Sequence, residues 1–349
     1  MMTYFGKRYT SIFGQAVSYI LGYTLLSTAS NVEMLLLGRF LCGVCRGFCN
    51  CVTVVYILDL CPTKNMVYGA LLCLVGNAGT LVTYTIGVFV NWRQLAFISL
   101  IISIPYVIGL VICLPNDFPQ RKQKSNLDEQ KSELKDVFKC KQMYLGMGLT
   151  FFYQFAGYNI VTNYAGSILQ SEGRMIQIFG FDSALINATF VGLAGLVGVI
   201  IGTILVYWNF ERQYILLFSN FGTAMAFLGL GIYQTFLDRT NTMYWIQTLC
   251  LVLHCLVFNL GYGCLGYPMV AELFPPKFRS KGVSFLMILS GFFGFLNNSS
   301  FDQLKKVMDT DKIYFLYACI NLLGFVFLFV FLSKPTKIMP DTTIIINES

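Results

Sequence analysis

The sequence is poor in charge. Only 12% of its 349 residues are Asp, Glu, Lys or Arg, about half the share of an ordinary soluble domain. With 56% hydrophobic residues and a mean hydropathy of +0.65, a fold built around one water-surrounded core is excluded. Histidine is nearly absent, His254 being the sole example. One histidine leaves no basis for a histidine-bound metal or a serine–histidine–acid grouping, and no phosphate-binding Gly-rich loop ending in Lys-Ser/Thr is present. No enzyme activity, cofactor or metal is expected. The first apolar run is not expected to be a cleavable leader: it is too long, lacks a small-residue cleavage site, and is followed at once by another. The twelve cysteines do not form a disulfide framework, because most lie in apolar runs as small hydrophobes. Cys42, Cys45, Cys49 and Cys51 share one run, where helical spacing spreads them around the axis instead of gathering them on a metal.

What is there is a series of apolar runs long enough to cross a bilayer. They fall at about 9–26, 34–56, 67–90, 95–114, 143–169, 184–207, 214–236, 243–270, 283–296 and 313–332. The expected fold is all-α and polytopic, with about ten membrane helices in a four-plus-six arrangement. Residues 1–115 form a four-span bundle, 116–141 a charged cytoplasmic linker, 142–333 a six-span bundle and 334–349 a cytoplasmic tail. In the linker, Ser125 and Asp128 suit a capping box before Leu134, Val137 and Phe138, giving a short surface helix; a disordered charged linker fits equally.

The net charge of +7 belongs to the loops and not to a nucleic-acid partner. Sixteen of the 24 Lys and Arg fall in one set of loops and termini, six in the other, and Arg39 and Arg46 lie inside the second span. Positive charge stays on the cytoplasmic side, so both termini are expected there, with the plasma membrane as the expected location. Asn187, Asn297 and Asn298 sit in sequons near span ends.

The stretch from Asn259 to Lys281 stands out. Gly261, Gly263 and Gly266 fall in six residues, followed by Pro268, Glu272, Pro275 and Pro276. Such density weakens a helix. In a membrane a broken helix is tolerated where protein or a watery cavity re-satisfies its backbone, and a substrate path beside such a break is one reading. Close packing against a neighbouring helix is the other.

Several motifs carry a family resemblance. Gly38-Arg39-Phe40-Leu41-Cys42-Gly43, then Tyr56-Ile57-Leu58-Asp59, Pro62 and Gly69-Ala70, resemble the signature of the sugar porter family of the major facilitator superfamily. Gln154-Phe155-Ala156-Gly157-Tyr158-Asn159 resembles the family's seventh-helix QxSGxN. Gly261-Tyr262-Gly263 with Ala271-Glu272-Leu273-Phe274-Pro275 and Arg279 resembles its tenth-helix run, and Lys334-Pro335-Thr336-Lys337 echoes its closing PETK. The pattern is nearest to insect facilitated trehalose and glucose transporters. The family has twelve helices, six plus six. Gly6-Lys7-Arg8 matches the end of the loop after the second, so the chain is expected to be an amino-terminally truncated form lacking two helices.

The resemblance implies transmembrane transport of a sugar, a hexose or trehalose, by facilitative alternating access in the lipid bilayer. It carries over Gln154 and Asn159 as sugar contacts, whose amides donate and accept as hydroxyls do. Asn163 and Tyr164 follow on the same helix. Tyr267 stands where the family has a stacking tryptophan, and Ser290 where it has an asparagine. Arg39, Asp59, Gly261, Gly263, Glu272 and Arg279 take the gating and hinge positions. Departures accompany the match: Tyr153 replaces a glutamine, Gly266 a proline, Asp59 a glutamate, and the loop motif is worn at Trp208-Asn209-Phe210-Glu211-Arg212-Gln213. On the third span the usual glutamine aligns near Gly76 or Asn77. Two other readings stand beside sugar transport: a non-transporting truncated or regulatory membrane protein, and a transporter of a non-sugar small molecule. Arg46 bears on the last, since it binds an anion, pairs with a carboxylate, or faces the gap left by the missing helices. His254 is read as a packed residue, with proton coupling as the alternative. The oligomeric state is left open.

Overall fold

The computed structural model describes residues 9, 12–49, 52, 65–113, 138, 140–163, 177–178, 181–237, 245–274 and 276–332. These residues are helical apart from turns and one antiparallel pair of two-residue strands, Gln177–Ile178 with Phe181–Asp182. The helices are α1 (Ile12–Ser27), α2 (Val32–Phe48), α3 (Asn65–Phe89), α4 (Trp92–Cys113), α5 (Lys141–Phe155), α6 (Ser183–Tyr207), α7 (Arg212–Ile232), α8 (Trp245–Phe258), α9 (Cys264–Glu272), α10 (Pro276–Val307) and α11 (Thr310–Leu332). Asp59, Tyr164, the linker with Ser125 and Asp128, and the tail lie outside the described residues.

Among the described residues, helix falls within each of the expected runs. Seven stretches are long and apolar enough to cross a membrane: those of α3, α4, α6, α7, α8 with α9, α10 and α11. In hydrocarbon each backbone N–H and C=O must be satisfied within its own segment, which selects helix for every run. Large apolar side chains are exposed on these helices, among them Phe13, Leu36, Val75, Ile112, Phe190, Phe218, Ile288 and Leu323. In a bilayer that exposure meets acyl chains, so the protein is an integral, multi-pass membrane protein.

Three spans differ from the sequence expectation. The helix expected to end near Leu296 continues as α10 to Val307. It can, because Asn297 is fully buried and bonded: its Nδ2 donates to the Gln154 carbonyl at 2.8 Å, and its Oδ1 accepts from the Tyr317 hydroxyl at 2.6 Å. Burial also removes Asn297 as a glycosylation acceptor. The fifth span is not one helix. α5 stops at Phe155, the chain turns at Gly157 with φ +85°, and helix resumes over 158–163. Third, the glycine-rich stretch is no open break. A π-helical turn over Asn259–Gly263 joins α8 to α9, and Pro268 sits inside α9.

α7 packs on α11 and α8, α6 on α8, and α10 on α5. At the amino end α1 packs on α2 and α4, and α3 lies mainly against α6 and α9. Two buried apolar clusters result. One centres on Met143, Leu216, Phe258, Tyr262, Leu265 and Leu286, the other on Ile160, Phe227, Leu251, Phe301 and Tyr317. α6 and α8 approach closely through Gly198 and Gly202. A Cβ at Gly198 would lie 2.2 Å from the Leu256 carbonyl oxygen, and one at Gly202 2.3 Å from that of Leu260. Both neighbours are backbone and cannot rotate away. Without a hydrophobic drive between helices in lipid, such close approach is what holds them together.

Gly198→Val should therefore destabilise the fold by about 2 kcal/mol or more. Gly291→Ala, where a Cβ meets nothing within 4 Å, should be neutral or slightly stabilising. Apparent melting temperatures of the two variants in detergent check this, and equal values would refute the packing account.

Candidate functional site

Gln154 lies at the end of α5, just before the left-handed Gly157. On a continuous helix, residues five apart point about 140° away from one another, so spacing alone would not bring Gln154 and Asn159 together. The turn at Gly157 does. Asn159 Nδ2 donates to Gln154 Oε1 at 2.7 Å, and Gln154 Nε2 donates to the Ser290 hydroxyl of α10 at 2.6 Å. A side chain at 157 would be strained by its φ and would run into Phe227, 2.4 Å from an added Cβ.

This trio heads a longer chain of bonds. Asn297 holds the Gln154 carbonyl and accepts from Tyr317. The Tyr317 carbonyl accepts from Asn321 at 2.8 Å, and Asn321 Oδ1 accepts from Thr223 at 3.0 Å. Thr223 also meets the Asn220 carbonyl, and Asn220 donates to the Tyr262 hydroxyl at 3.0 Å, in the π turn. The two glycine-marked departures from regular helix, at Gly157 and at Asn259–Gly263, are thus joined by one buried polar network.

Tyr153, Gly266, Tyr267 and Ser290 line a small cavity with Leu149, Thr150, Val270 and Met287. It offers about 10 Å³ to the centre of a water molecule, which is room for about one water. The Tyr153 and Tyr267 rings lie 5.1 Å apart. A Cβ at Gly266 would sit 2.8 Å from the Tyr153 ring. Two departures from the family pattern are therefore one: the larger side chain at 153 fits because position 266 has none.

A second polar group lies beside the first. The Tyr158 hydroxyl donates to Asn77 Oδ1 of α3 at 3.3 Å, its ring stacks on Phe258 at 4.5 Å, and Asn259, next in sequence to Phe258, donates to the Cys255 carbonyl at 2.9 Å. Asn77 and Asn259 flank Gly195, each with an atom 3.2 Å from where its Cβ would be. Tyr158 and Asn259 were not among the residues singled out from sequence. Asn77 was, as the neighbour of the aligned third-span position.

Other sequence candidates fall elsewhere. Asn163 is exposed and donates to Asn298 at 3.3 Å. Gly261 packs tightly on α7, 2.8 Å from the Ile215 carbonyl for an added Cβ, and Gly263 faces the Asn259 amide. Arg39 is exposed on α2. Glu272, expected beside Arg279, pairs with Arg212 at 2.5 Å, with side-chain exposures of 16% and 36%. The Arg279 side chain and Tyr164 lie outside the described residues. Arg212 belongs to the worn loop motif, so its signal was present but discounted. His254 is buried against the Phe227 ring at 4.5 Å.

Comparison with known proteins accords with this architecture. The facilitated trehalose transporter Tret1-2 homolog of Drosophila simulans is 27% identical over 95% of this chain and 74% of its own length. The facilitated trehalose transporter Tret1 of Bombyx mori is 26% identical over 96% and 72%. The proton:xylose symporter XylE, solved with 6-bromo-6-deoxy-D-glucose, superposes with a TM-score of 0.76 at 17% identity, over 95% of this chain and 81% of that one. Residues 1–118 and 116–338 match the family described as sugar (and other) transporter, and the chain belongs to that family.

Proposed function

We propose that this protein carries a sugar, a hexose or trehalose, across the membrane by facilitative alternating access. The observation that supports it most is the Gln154–Asn159–Ser290 cluster at the Gly157 turn. Its amides and hydroxyl bond one another in the present conformation. A sugar hydroxyl both donates and accepts, so it can replace each of those bonds without leaving a buried polar atom unpaired. Tyr267 and Tyr153 offer ring faces beside the cluster. The cavity is too small for a sugar as it stands, so entry to it requires the helices around it to part. Rocking of one bundle, residues 1–115, against the other, residues 142–333, would do this around a fixed midplane site. The loop charges support cytoplasmic termini, and the plasma membrane is the proposed location. Arg212–Glu272 fastens the start of α7 to the end of α9, and with Arg39, Asp59 and Arg279 forms the gating set; Gly261 and Gly263 supply the hinge.

Uptake of labelled glucose and trehalose into proteoliposomes tests the reading. Gln154→Ala should raise KM tenfold or more, because Asn159 and Ser290 each lose a partner and the sugar loses an amide. Unchanged uptake would count against the site, and no uptake by the wild-type chain against the function.

The Arg212–Glu272 pair is half-exposed and should contribute no more than about 1 kcal/mol to stability. Its removal should show instead in rate. Glu272→Gln is expected to slow transport several-fold with little change in melting temperature, and the swapped pair Arg212→Glu/Glu272→Arg to recover part of the rate. A swap no better than the single variant would show that the pairing itself is immaterial.

A further inference from the structure

The cavity beside the amide cluster differs from it in chemistry. Leu149, Val270 and Met287 give it an aliphatic wall, and the rings of Tyr153 and Tyr267, 5.1 Å apart, add aromatic faces. Its two short hydroxyls are engaged. Thr150 donates to the Gly146 carbonyl of its own helix at 2.7 Å, and Ser290 accepts from Gln154 at 2.6 Å. A water needs about two to four polar partners, and few remain here to supply them. The room for about one water therefore suits an apolar group of that size.

Its place matters as much as its lining. Tyr153 and Gln154 are adjacent on α5 but serve different groups. The Gln154 amide bonds Asn159 and Ser290, while the Tyr153 ring lies against Gly266 of α9. Ser290 belongs to both groups, bonded in the cluster and lining the cavity. A sugar at the cluster would thus have the cavity beside it. Position 153, where the resemblance has a glutamine, holds a ring, so an amide that could meet a hydroxyl is replaced by apolar surface. Packed interiors leave few voids of this size, and an unfilled one costs stability.

We propose that the cavity receives the methyl group of a 6-deoxyhexose, with Tyr153, Val270 and Met287 selecting it, while the amide cluster holds the ring hydroxyls. The compact apolar substituent that a simple hexose can carry is a methyl on C5, in place of the usual hydroxymethyl. In the cavity that methyl leaves water and fills a void at once. A hydroxymethyl would leave its hydroxyl short of partners there. This inference rests on the sugar reading above and narrows its substrate class.

Three sugars of one configuration differ only at C5: D-xylose carries hydrogen there, 6-deoxy-D-glucose methyl and D-glucose hydroxymethyl. Their affinities for the full chain follow from its apparent melting temperature in detergent against sugar concentration, and labelled forms are followed into proteoliposomes, with trehalose alongside. 6-Deoxy-D-glucose should bind about fourfold tighter than D-xylose, the worth of one buried methyl. It should bind about tenfold tighter than D-glucose, the cost of an unpaired hydroxyl. Val270→Ile puts a methyl of the protein into the cavity and should place D-xylose above 6-deoxy-D-glucose. Val270→Thr, similar in size but polar, should bring D-glucose about threefold closer to 6-deoxy-D-glucose, and it decides should Val270→Ile fail to fold. D-Glucose, D-xylose or trehalose bound by the wild-type chain as tightly as 6-deoxy-D-glucose overturns the inference and leaves the sugar reading standing. Binding and uptake of none of the four overturns both. An unchanged order in Val270→Ile overturns it, because the methyl would then lie elsewhere. So does a preference lost in Tyr153→Phe, because a phenol and not the apolar wall would then carry the choice.

Discussion

The structure depends on one constraint: polar groups deep in a membrane protein must bond to protein, because no bulk water reaches them. The six-span half contains many such groups. Gln154, Ser219, Asn220, Thr223, Asn259, Ser290, Asn297 and Asn321 are all buried. Asn259 donates to the Cys255 carbonyl of its own helix, and the others are linked in series, from Tyr262 through α7, α11 and α10 to Gln154. A chain of this kind fixes relative helix positions more narrowly than apolar contact does, since each bond needs a particular distance and angle. At the candidate site the Gln154 and Asn159 amides and the Ser290 hydroxyl already bond one another. A sugar that enters exchanges bonds with the network as well as adding to it, which favours ligands rich in groups that both donate and accept.

Much of this was legible in the sequence. The apolar runs placed each helix, because in lipid a run of that length has little choice but helix. Gln154, Asn159 and Ser290 came from matched motifs, and the structure brings them within hydrogen-bond distance. Spacing alone would not have paired them. Residues five apart do not share a helix face, and only the positive φ of Gly157 lets Asn159 turn back to Gln154. The polar run Asn297 to Ser300 looked like a helix end, because a sequence does not show that Gln154 and Tyr317 stand ready to satisfy Asn297. The motif that carries Glu272 says nothing of Arg212, whose ion pair with it joins residues sixty apart, a distance that local pattern does not bridge.

The departures from the family pattern gain meaning when taken together. Tyr153 and Gly266, read singly, suggest a worn site. In contact they are a volume-conserving exchange, a ring moved from one helix onto a bare stretch of another, of the sort that packed cores tolerate. The exchange keeps an aromatic wall beside Ser290 while closing the cavity to about one water.

The π turn at Asn259–Gly263 has a kinetic consequence. Such a turn holds one surplus residue in an otherwise α-helical span. A surplus residue can pass to the next turn by exchanging one set of backbone bonds for another, so no N–H or C=O is stranded in hydrocarbon along the way. Each residue that the surplus passes turns by about 100° around the helix axis, while the stretches before and behind keep their places. A defect passing into α9 would therefore swing Tyr267 at the cavity while the Glu272 end of the helix stays at its ion pair, so the wall of the cavity can be re-aimed without loosening the closing charge.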